Sequence, residues 1–336
     1  MTSIRFNRRA ILAGLAAPAV LSLTHRAQAS EKVSVALDWT PNTNHVGLFV
    51  ARDKGFYKEA GLDVEILPYA DTAASTLVAG RVADFGIVGI GLYTQRAAGA
   101  DLVATYAVVQ KETGRLVVKA ERTDINSPKD LDGKRYGGFG SAWENALIGS
   151  VIRHDGGKGE FETITLGTSA YQALETGAVD FTLEVYTWEG VKAELAGVAQ
   201  RAFQYADYGV PDEHTTMLGS SSAFLRERPD AARAFIQATQ RGYAFAAEKP
   251  AEAAELLIAA NKDALTDPKL IHASMAALVE GNYLRTPDGV VGRFDPAKVD
   301  AIGTYLFNSG ILKDATGNVL DQKPDFASYF TNALLE

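Results

Sequence analysis

The feature that most constrains the fold of this sequence is a repeated alternation of strand-like and helix-like segments. Residues 32–37 and 62–67 alternate apolar and polar side chains, which predicts strands, and residues 46–60 between them carry the apolar stripe of a helix. A strand, a helix and a strand within about forty residues is the spacing of a βαβ unit with parallel strands. The sequence therefore predicts an α/β fold. Further strands are predicted at 84–88, 102–109, 116–119 and 135–137, and further helices at 72–79, 91–98 and 142–154.

One local pattern occurs twice. Residues 77–85 and 174–181 both have the pattern of a helix end, a glycine cap and a strand begun by aspartate. The two copies lie too far apart for a solenoid repeat, so two similar α/β lobes are the favoured interpretation. Chance similarity of a common helix-to-strand turn is the alternative.

The last third of the chain is predicted to be mostly helical. Segments at 229–248, 250–261, 268–278 and 296–309 begin at prolines and have apolar residues at helical spacing. We expect these helices to pack around the first lobe. Roughly 300 residues after the signal exceed what one core usually holds, so two lobes are expected. The prediction is a first lobe of residues 30–117 and 218–336, a second lobe of residues 118–217, and two chain crossings that form a hinge.

Residues 1–29 have the pattern of a secretory signal. Arg8 and Arg9 precede a short apolar run that Pro18 interrupts, and residues 27–29 (AQA) supply the small side chains that a signal peptidase needs. The paired arginines favour the twin-arginine route, and ordinary Sec export is the alternative. We therefore expect an exported protein.

Charge and cysteine content narrow the class of protein. The net charge is −8, and removal of residues 1–29, with four arginines and no acidic residue, lowers it to −12. Such a surface repels nucleic acid and anionic lipid. The chain has no cysteine, which excludes disulfides, thiolate nucleophiles and a lipid-attachment cysteine. A periplasmic protein without a lipid anchor or a nucleic-acid partner is expected.

A polar loop follows the first predicted strand directly. In open α/β sheets, ligands bind beyond the carboxyl ends of the strands, so Asp38, Trp39, Asn42 and His45 are candidate binding residues. Trp39 offers a flat face for a planar ligand, and Asp38 and Asn42 offer hydrogen-bonding groups for ring nitrogens and amines. The alternative is a capped loop around a partly buried tryptophan, with His45 bonded to nearby backbone.

A glycine-rich turn at Gly138, Gly140 and Ser141, followed by Glu144, is a second candidate. Glycines allow close approach of the backbone, and a helix amino end presents N–H groups to an anion such as a formyl, carboxylate or phosphate oxygen. The spacing does not fit a dinucleotide fingerprint. A tight turn without a ligand is an equally good interpretation.

The end of the strand in the second copy is a third candidate. Tyr186, Trp188 and Glu189 combine an aromatic wall with a carboxylate, which suits an aminopyrimidine because an acid pairs with a ring nitrogen and an exocyclic amine together. The alternative is aromatic packing beside a solvated acid.

The sequence has few patterns typical of catalytic or metal-binding sites. The five histidines form no HExxH or paired arrangement, and no GxSxG motif occurs. We therefore predict no catalytic residue, no metal site and no cofactor.

Two motifs resemble a known family. Residues 37–48 (LDWTPNTNHVGL) are similar to the opening motif of thiamine-biosynthesis-type periplasmic binding proteins, which bind pyrimidine precursors for ABC transporters. Residues 54–64 (KGFYKEAGLDV) are also similar to sulfonate, nitrate and taurine carriers, so they indicate only the broad fold. The resemblance covers essentially the whole chain after residue 29 and is densest before Leu92.

The resemblance implies a type II periplasmic-binding-protein fold, with two α/β lobes around a ligand cleft. It implies binding of an N-formyl aminopyrimidine or a hydroxymethylpyrimidine by hinge closure, and delivery to an inner-membrane permease with a separate ATPase subunit. Other members bind flavin-like heterocycles, sulfonates or nitrate. Such proteins usually work as monomers. The matching pocket segments are those of Asp38 and Trp39, of Gly138 to Ser141 with Glu144, and of Tyr186 with Glu189.

The family also has an enzyme branch that makes the thiamine pyrimidine. It uses a lysine that carries pyridoxal phosphate, a histidine four residues later and a cysteine-rich motif. Alignment puts Val88 at the lysine and Leu92 at the histidine, and the chain has no cysteine. A non-catalytic binding protein is therefore the leading hypothesis, and a secreted enzyme or a sensor for a membrane receptor are the alternatives.

Overall fold

Two five-stranded sheets organise residues 30–70 and 72–336, the part of the chain that the computed structural model describes. The predicted secretory signal, residues 1–29, lies outside the described residues. The strands are β1 (Glu31–Ala36), β2 (Leu62–Leu67), β3 (Phe85–Val88), β4 (Val103–Ala107), β5 (Gly114–Lys119), β6 (Arg135–Gly138), β7 (Glu162–Thr165), β8 (Phe181–Val185), β9 (Gln200–Gln204) and β10 (Met217–Ser220).

Helices cover both sheets, and α5 has the predicted bounds. The helices are α1 (Val46–Asp53), α2 (Phe56–Glu59), α3 (Ala74–Ala79), α4 (Gly91–Ala97), α5 (Ala142–His154), α6 (Ala170–Thr176), α7 (Val191–Leu195), α8 (Ser222–Glu227), α9 (Pro229–Glu248), α10 (Pro250–Ala260), α11 (Pro268–Glu280) and α12 (Pro296–Asn308). The last four begin at the prolines that the sequence singled out, because proline's fixed φ suits the first helical turn.

The two sheets have the same arrangement of strands. The order is β2-β1-β3-β10-β4 in the first sheet and β7-β6-β8-β5-β9 in the second. In each sheet three strands are parallel, and β10 or β5 runs antiparallel to both of its neighbours. The prediction of an α/β fold with two similar halves of the chain is confirmed.

The chain crosses between the sheets twice. It leaves the first sheet through residues 108–113 and returns through residues 205–216, which we call the crossing segments. The segments are bonded to each other: the Glu112 N–H donates to Asp212 at 2.8 Å, and the Thr113 N–H donates to Thr215 Oγ1 at 3.1 Å. The predicted lobe boundaries at 117 and 218 stay a prediction.

The helix predicted at 46–60 is divided into α1 and α2. Gly55 has a φ of 80°, in the left-handed region that interrupts a helix at little cost only when the residue is glycine. The turn lets α1 keep its apolar face against α9, where Gly47 and Gly242 bring the two backbones together. The prediction of one continuous helix was wrong at this glycine.

The repeated pattern at 77–85 and 174–181 is only partly equivalent. Gly177 caps α6 with a φ of 77°, the left-handed conformation expected of a glycine cap. After α3, Gly80 has a φ of −80° and the next residue, Arg81, takes the left-handed conformation with a φ of 60°. The extra residue in the first copy accounts for this shift.

Within residues 30–70 and 72–336, every helix is too short or too polar to cross a membrane.

Candidate functional site

A cavity of about 420 Å³ lies between the two sheets. Its walls come from the segments that follow β1 and β3 in the first sheet and β6 and β8 in the second. The carboxyl ends of parallel strands from both sheets therefore face one space, which is where α/β folds bind ligands. The volume lies within the range of small-molecule sites.

The loop after β1 presents Asp38 to this cavity through a buried histidine. The Nδ1 atom of His45 accepts the Asn42 N–H at 3.3 Å, so Nε2 carries the proton and donates to Asp38 Oδ1 at 2.9 Å. His45 is 1 % exposed and lies behind Asp38 rather than in the cavity wall. Its role is to fix the direction of the Asp38 carboxylate.

The two amides of the same loop are used differently. Asn42 lines the cavity, but its Oδ1 accepts the Asn44 N–H at 2.9 Å and its Nδ2 donates to the Thr40 carbonyl at 3.1 Å. Asn44 also lines the cavity, and its buried Oδ1 has no hydrogen-bond partner among the described residues. Asn44, which the sequence analysis did not select, is thus freer to bind a ligand than Asn42.

Trp39 belongs to an aromatic group at the cavity. Its ring lies 5.8 Å from the Tyr69 ring and 5.4 Å from the Phe139 ring, measured between centroids. Trp39 follows β1 and Phe139 follows β6, so this contact joins the two sides of the cavity. Further aromatic side chains in the wall are Trp143, Tyr171, Trp188 and Tyr205.

In the glycine-rich turn, the Glu144 carboxylate accepts hydrogen bonds from the N–H groups that were candidates for anion binding. Glu144 is 1 % exposed, and its carboxylate accepts the N–H groups of Phe139 at 3.2 Å and Ser141 at 2.8 Å, with the Tyr136 hydroxyl at 3.2 Å. The Ser141 hydroxyl completes a capping box by accepting the Glu144 N–H at 3.3 Å. These bonds favour the interpretation of a structured turn over that of an anion site.

The glycines of this turn shape it without lining the cavity. Gly140 has a φ of 70°, and a Cβ there would lie 2.5 Å from the Thr165 hydroxyl oxygen. A Cβ at Gly138 would overlap the Tyr136 side chain. Both glycines are needed so that the turn can bring Phe139 to the cavity.

After β8, Glu189 and Trp188 line the cavity, whereas Tyr186 does not. The Oε2 atom of Glu189 accepts the Val185 N–H at 3.3 Å. Burial raises the pKa of Glu189 to about 7, and the nearby Glu184 carboxylate adds to the shift. The ring of Tyr186 instead lies under the Arg115 guanidinium, whose carbon is 4.7 Å from the ring centroid.

A buried ion pair lies next to Glu189. The Arg115 Nε donates to Glu184, which is fully buried at the end of β8. Burial raises the pKa of Glu184, and the Arg115 charge opposes that effect. Arg115 is therefore occupied within the protein, and Glu189 has no comparable partner.

Two further carboxyl groups line the inner wall, one on each crossing segment. Glu112 and Glu213 share a hydrogen bond, and burial raises the pKa of both, with mutual repulsion adding to the shift at Glu213. Glu213 is 5 % exposed. One proton held between two carboxyl groups is the usual result of such proximity.

A large part of the wall was not predicted from the sequence. Asn44, Trp143 and Glu184 lie within or next to the three candidate segments, so their type and position were an available signal. The others come from segments with no local binding pattern. They include Tyr69, Ser75, Gln95, Glu112, Tyr171, Tyr205 and Glu213.

An outer groove of about 940 Å³ adjoins the cavity. The cavity and the groove share several wall residues, including some in β8 and in the segment that follows it. A ligand longer than a single ring could therefore extend from the cavity into the groove. The shared residues are Trp39, Tyr171, Glu184, Trp188 and Glu189.

Curated relatives and a solved structure resemble this chain over most of its length. A formylaminopyrimidine-binding protein of Halalkalibacterium halodurans is 28 % identical over 83 % of this chain and 86 % of its own. A 4-amino-5-hydroxymethyl-2-methylpyrimidine phosphate synthase of Legionella pneumophila is 27 % identical over 67 % of this chain and 72 % of its own. A Candida albicans gene product described as having the generic periplasmic binding protein fold superposes with a TM-score of 0.60 at 16 % identity, over 90 % of this chain and 96 % of its own.

The fold and the family follow from these comparisons. The structural similarity confirms the predicted periplasmic-binding-protein fold, to which the two sheets and the cavity between them correspond. The family profile described as NMT1/THI5 like matches residues 42–253. This chain therefore belongs to the NMT1/THI5-like family.

Proposed function

We propose that this chain is the exported solute-binding component of an ABC importer and that its ligand is a thiamine pyrimidine precursor. The observation that carries the proposal is a cavity between two α/β halves that combines aromatic side chains with a half-buried, incompletely paired carboxyl group, Glu189. The similarity to the formylaminopyrimidine-binding protein supports the choice of ligand.

Glu189 fits one edge of an aminopyrimidine. Such an edge has a ring nitrogen that accepts a hydrogen bond beside an exocyclic amine that donates one. A neutral carboxylic acid donates and accepts in the same geometry, and a carboxylate does so when the ring nitrogen carries the proton. A pKa of about 7 makes both arrangements accessible at neutral pH.

The ring of the ligand would pack against aromatic side chains. Trp39 and Trp188 lie on opposite sides of the cavity, in the segments after β1 and β8. Flat aromatic faces bind a planar heterocycle by stacking and by excluding water. Asp38, which His45 holds in place, then offers an acceptor for the formamide N–H or the hydroxyl group of the ligand.

The mechanism is closure of two lobes about a hinge. Residues 30–117 with 218–336, and residues 118–217, would move as two bodies joined by the crossing segments. A ligand that touches both bodies stabilises the closed state by the difference in its affinity for the two states. The closed monomer would deliver its ligand to an inner-membrane permease, and the protein would act in the periplasm without a lipid anchor or a nucleic-acid partner.

Binding without turnover is the preferred activity, although some relatives are named as synthases. Val88, at the position of the lysine in that branch, is an apolar residue of the cavity wall, and Leu92 is 2 % exposed. Neither side chain can form a Schiff base or transfer a proton. The wall has no lysine among the residues that the structure describes.

The charge of the cavity argues against anionic ligands. Its wall has acidic side chains from both halves of the chain and, within the described residues, no arginine or lysine. Sulfonate and nitrate would meet like charge there, which disfavours binding. A neutral flavin-like heterocycle remains the second candidate. The acidic residues are Asp38, Glu112, Glu144, Glu184, Glu189 and Glu213.

Thermal unfolding of residues 30–336 with a ligand panel tests the proposal. The panel contains N-formyl aminopyrimidine, hydroxymethylpyrimidine, riboflavin, taurine and nitrate. A ligand at about 100 times its dissociation constant stabilises the folded state by roughly 2.7 kcal/mol. We expect this stabilisation with an aminopyrimidine, its loss in Trp39→Ala and Glu189→Gln, and its retention in Glu255→Gln, an exposed site on α10.

The outcomes separate the candidates. Stabilisation only by riboflavin keeps the binding role and replaces the ligand. Stabilisation only by taurine or nitrate contradicts the argument from charge. Conversion of a bound pyrimidine to a new product, followed by chromatography, would overturn the non-catalytic assignment.

A further inference from the structure

Glu213 is a buried acid in the cavity wall with little hydrogen bonding to the described residues. It is 5 % exposed, and within residues 30–70 and 72–336 no N–H group and no cationic side chain bonds to it. Its one hydrogen-bond partner is the carboxyl group of Glu112. A buried carboxyl group without a donor is costly, so its retention in a ligand cavity calls for a partner from outside the chain.

Glu112 is better supported and holds Glu213 from the other crossing segment. One oxygen of Glu112 accepts the Gly114 N–H, and Thr215 Oγ1 lies 3.5 Å from the same oxygen. Glu112 is therefore held by a backbone hydrogen bond, whereas the remaining acceptor sites of Glu213 are unused. Both side chains line the cavity.

The charged and titratable neighbours do not neutralise this pair. Lys298 donates to Asp212 at 2.5 Å and to the Gln110 carbonyl at 2.7 Å, so its charge is used outside the cavity. His214 accepts the Asp295 N–H through Nε2, and burial lowers its pKa to about 4, so it is uncharged at neutral pH. The other titratable neighbours are the hydroxyl groups of Tyr93 and Tyr205 and the carboxyl groups of Asp212 and Glu144, none of which supplies a positive charge.

We propose that Glu112 and Glu213 form a subsite for a protonated primary amine carried by the ligand. The inference rests on the proposed function, because it assigns a charge to one substituent of a pyrimidine held by Trp39 and Glu189. An ammonium group donates three hydrogen bonds and can satisfy both carboxylates together. The preferred ligand is then an aminomethyl-substituted aminopyrimidine rather than its neutral N-formyl or hydroxymethyl counterpart.

The position of the pair connects amine binding to closure. Glu112 lies on the segment that leaves the first sheet, and Glu213 lies on the segment that returns to it. An ammonium group between them joins both crossing segments at the base of the cavity. Its binding therefore favours the conformation in which the two carboxylates are close, because the ammonium group bonds to both of them.

Binding of an amine has a defined proton balance. Burial and mutual repulsion raise the pKa of the pair, so the ligand-free protein is expected to share one proton between the two carboxyl groups, and an ammonium group replaces that proton without any covalent change. The displaced proton goes to the solvent. Affinity for the amine should therefore rise as the pH rises towards neutrality, whereas a ligand that needs a neutral Glu213 would bind more weakly.

Titration calorimetry with three pyrimidines tests the proposal. The compounds share a 4-amino-2-methylpyrimidine ring and differ at position 5, where they carry aminomethyl, N-formylaminomethyl or hydroxymethyl groups. Measurements in buffers of different ionisation enthalpy give the number of protons released. We expect the aminomethyl compound to bind at least tenfold more tightly than either neutral compound and to release close to one proton.

The variant Glu213→Gln removes the charge and keeps the shape. We expect roughly a 30-fold loss of affinity for the aminomethyl compound, the scale of a removed partner in a buried charge pair, and little change for the neutral compounds. Glu255→Gln, with the same change of charge on exposed α10, should leave all three affinities unchanged. Because Glu213→Gln removes a buried acid and its amide can still bond to Glu112, its ligand-free unfolding temperature should equal or exceed that of the wild type, which checks its folding.

Failure of this proposal differs from failure of the proposed function. The amine subsite is contradicted if a neutral compound binds more tightly than the aminomethyl compound, or if Glu213→Gln lowers the affinity for all three compounds equally. In both cases the proposal of pyrimidine binding is unaffected. If no pyrimidine binds, the proposed function fails, and benzylamine compared with benzyl alcohol then tests the subsite alone. If benzylamine and benzyl alcohol stabilise the protein equally, or if neither compound stabilises it, the amine subsite is also contradicted.

Discussion

At the scale of single residues, acids of one type differ in function because their hydrogen-bond partners differ. The Glu144 carboxylate already accepts bonds from Tyr136, Phe139 and Ser141, so it organises the glycine-rich turn. Glu189 accepts the Val185 N–H and has unused acceptor capacity at the cavity. The acceptor capacity that remains after the internal hydrogen bonds, rather than the residue type, is the reason why Glu189 and not Glu144 is proposed to bind the ligand.

The raised pKa of Glu189 predicts a pH-dependent effect on stability. Burial raises the pKa to about 7 in the folded protein, against 4.5 for an ordinary glutamate. The folded state then binds a proton that the unfolded state has lost, so Glu189 lowers the free energy of unfolding as the pH rises from 4.5 to about 7. Glu189→Gln should therefore become more stable than the wild type over this range, by up to roughly 3 kcal/mol.

Urea unfolding of the ligand-free proteins across this pH range measures the difference. Glu280→Gln is the matched control, because the Glu280 side chain is exposed at the end of α11 and makes no ion pair among the described residues. A constant difference between Glu189→Gln and the wild type would show that Glu189 titrates normally. The same variant should lose pyrimidine binding, so greater stability and weaker binding are expected together.

At the scale of elements, the sequence predicted those parts of the fold that depend on local patterning. The bounds of α5 and the proline starts of α9 to α12 follow from caps and apolar periodicity, which act within a few residues. The break at Gly55 was missed because an apolar stripe continues across it, and only the backbone conformation of the glycine interrupts it. The apolar periodicity of the sequence does not indicate such a turn.

The same reasoning explains which parts of the site could be predicted. Trp39 and Glu189 follow strands directly, so their positions in the chain place them at a sheet edge. Glu112 and Glu213 are about 100 residues apart and meet only because the chain crosses twice between the sheets, as for other contacts between these segments. No pattern along the chain indicates that meeting, and it depends on the topology of both sheets.

The crossing of α1 and α9 yields a prediction at this scale. A Cβ at Gly242 would lie 2.1 Å from the Gly47 carbonyl oxygen, which is backbone and cannot move aside cheaply. Gly242→Ala should therefore destabilise the protein by about 1–3 kcal/mol, despite the higher helix propensity of alanine. In Gly91→Ala, where the nearest atom would be 3.7 Å away, the change should stay within about 0.5 kcal/mol. Equal effects in chemical denaturation would contradict the close packing of α1 and α9.

At the scale of the whole molecule, the cavity is formed jointly by both sheets, so the proposed closure would link the relative position of the sheets to the affinity for the ligand. The Trp39–Phe139 contact, with ring centroids 5.4 Å apart, joins the segment after β1 to the segment after β6. Phe139 is 42 % exposed, so it contributes little to either core and its main contact is across the cavity. In the proposed mechanism, this pair stabilises the closed arrangement even without a ligand.

Removal of this contact should shift the ligand-free protein towards an open form. An aromatic pair contributes about 0.5–1.5 kcal/mol, so Phe139→Ala should weaken ligand binding by roughly twofold to tenfold through a smaller closed population. Small-angle X-ray scattering should give a larger radius of gyration for the ligand-free variant than for the wild type, and equal radii at saturating ligand. Val319→Ala, at an exposed apolar site far along the chain, should change neither quantity. An unchanged ligand-free radius with weaker binding would make Phe139 a direct contact of the ligand, whereas unchanged values of both would contradict any role in closure.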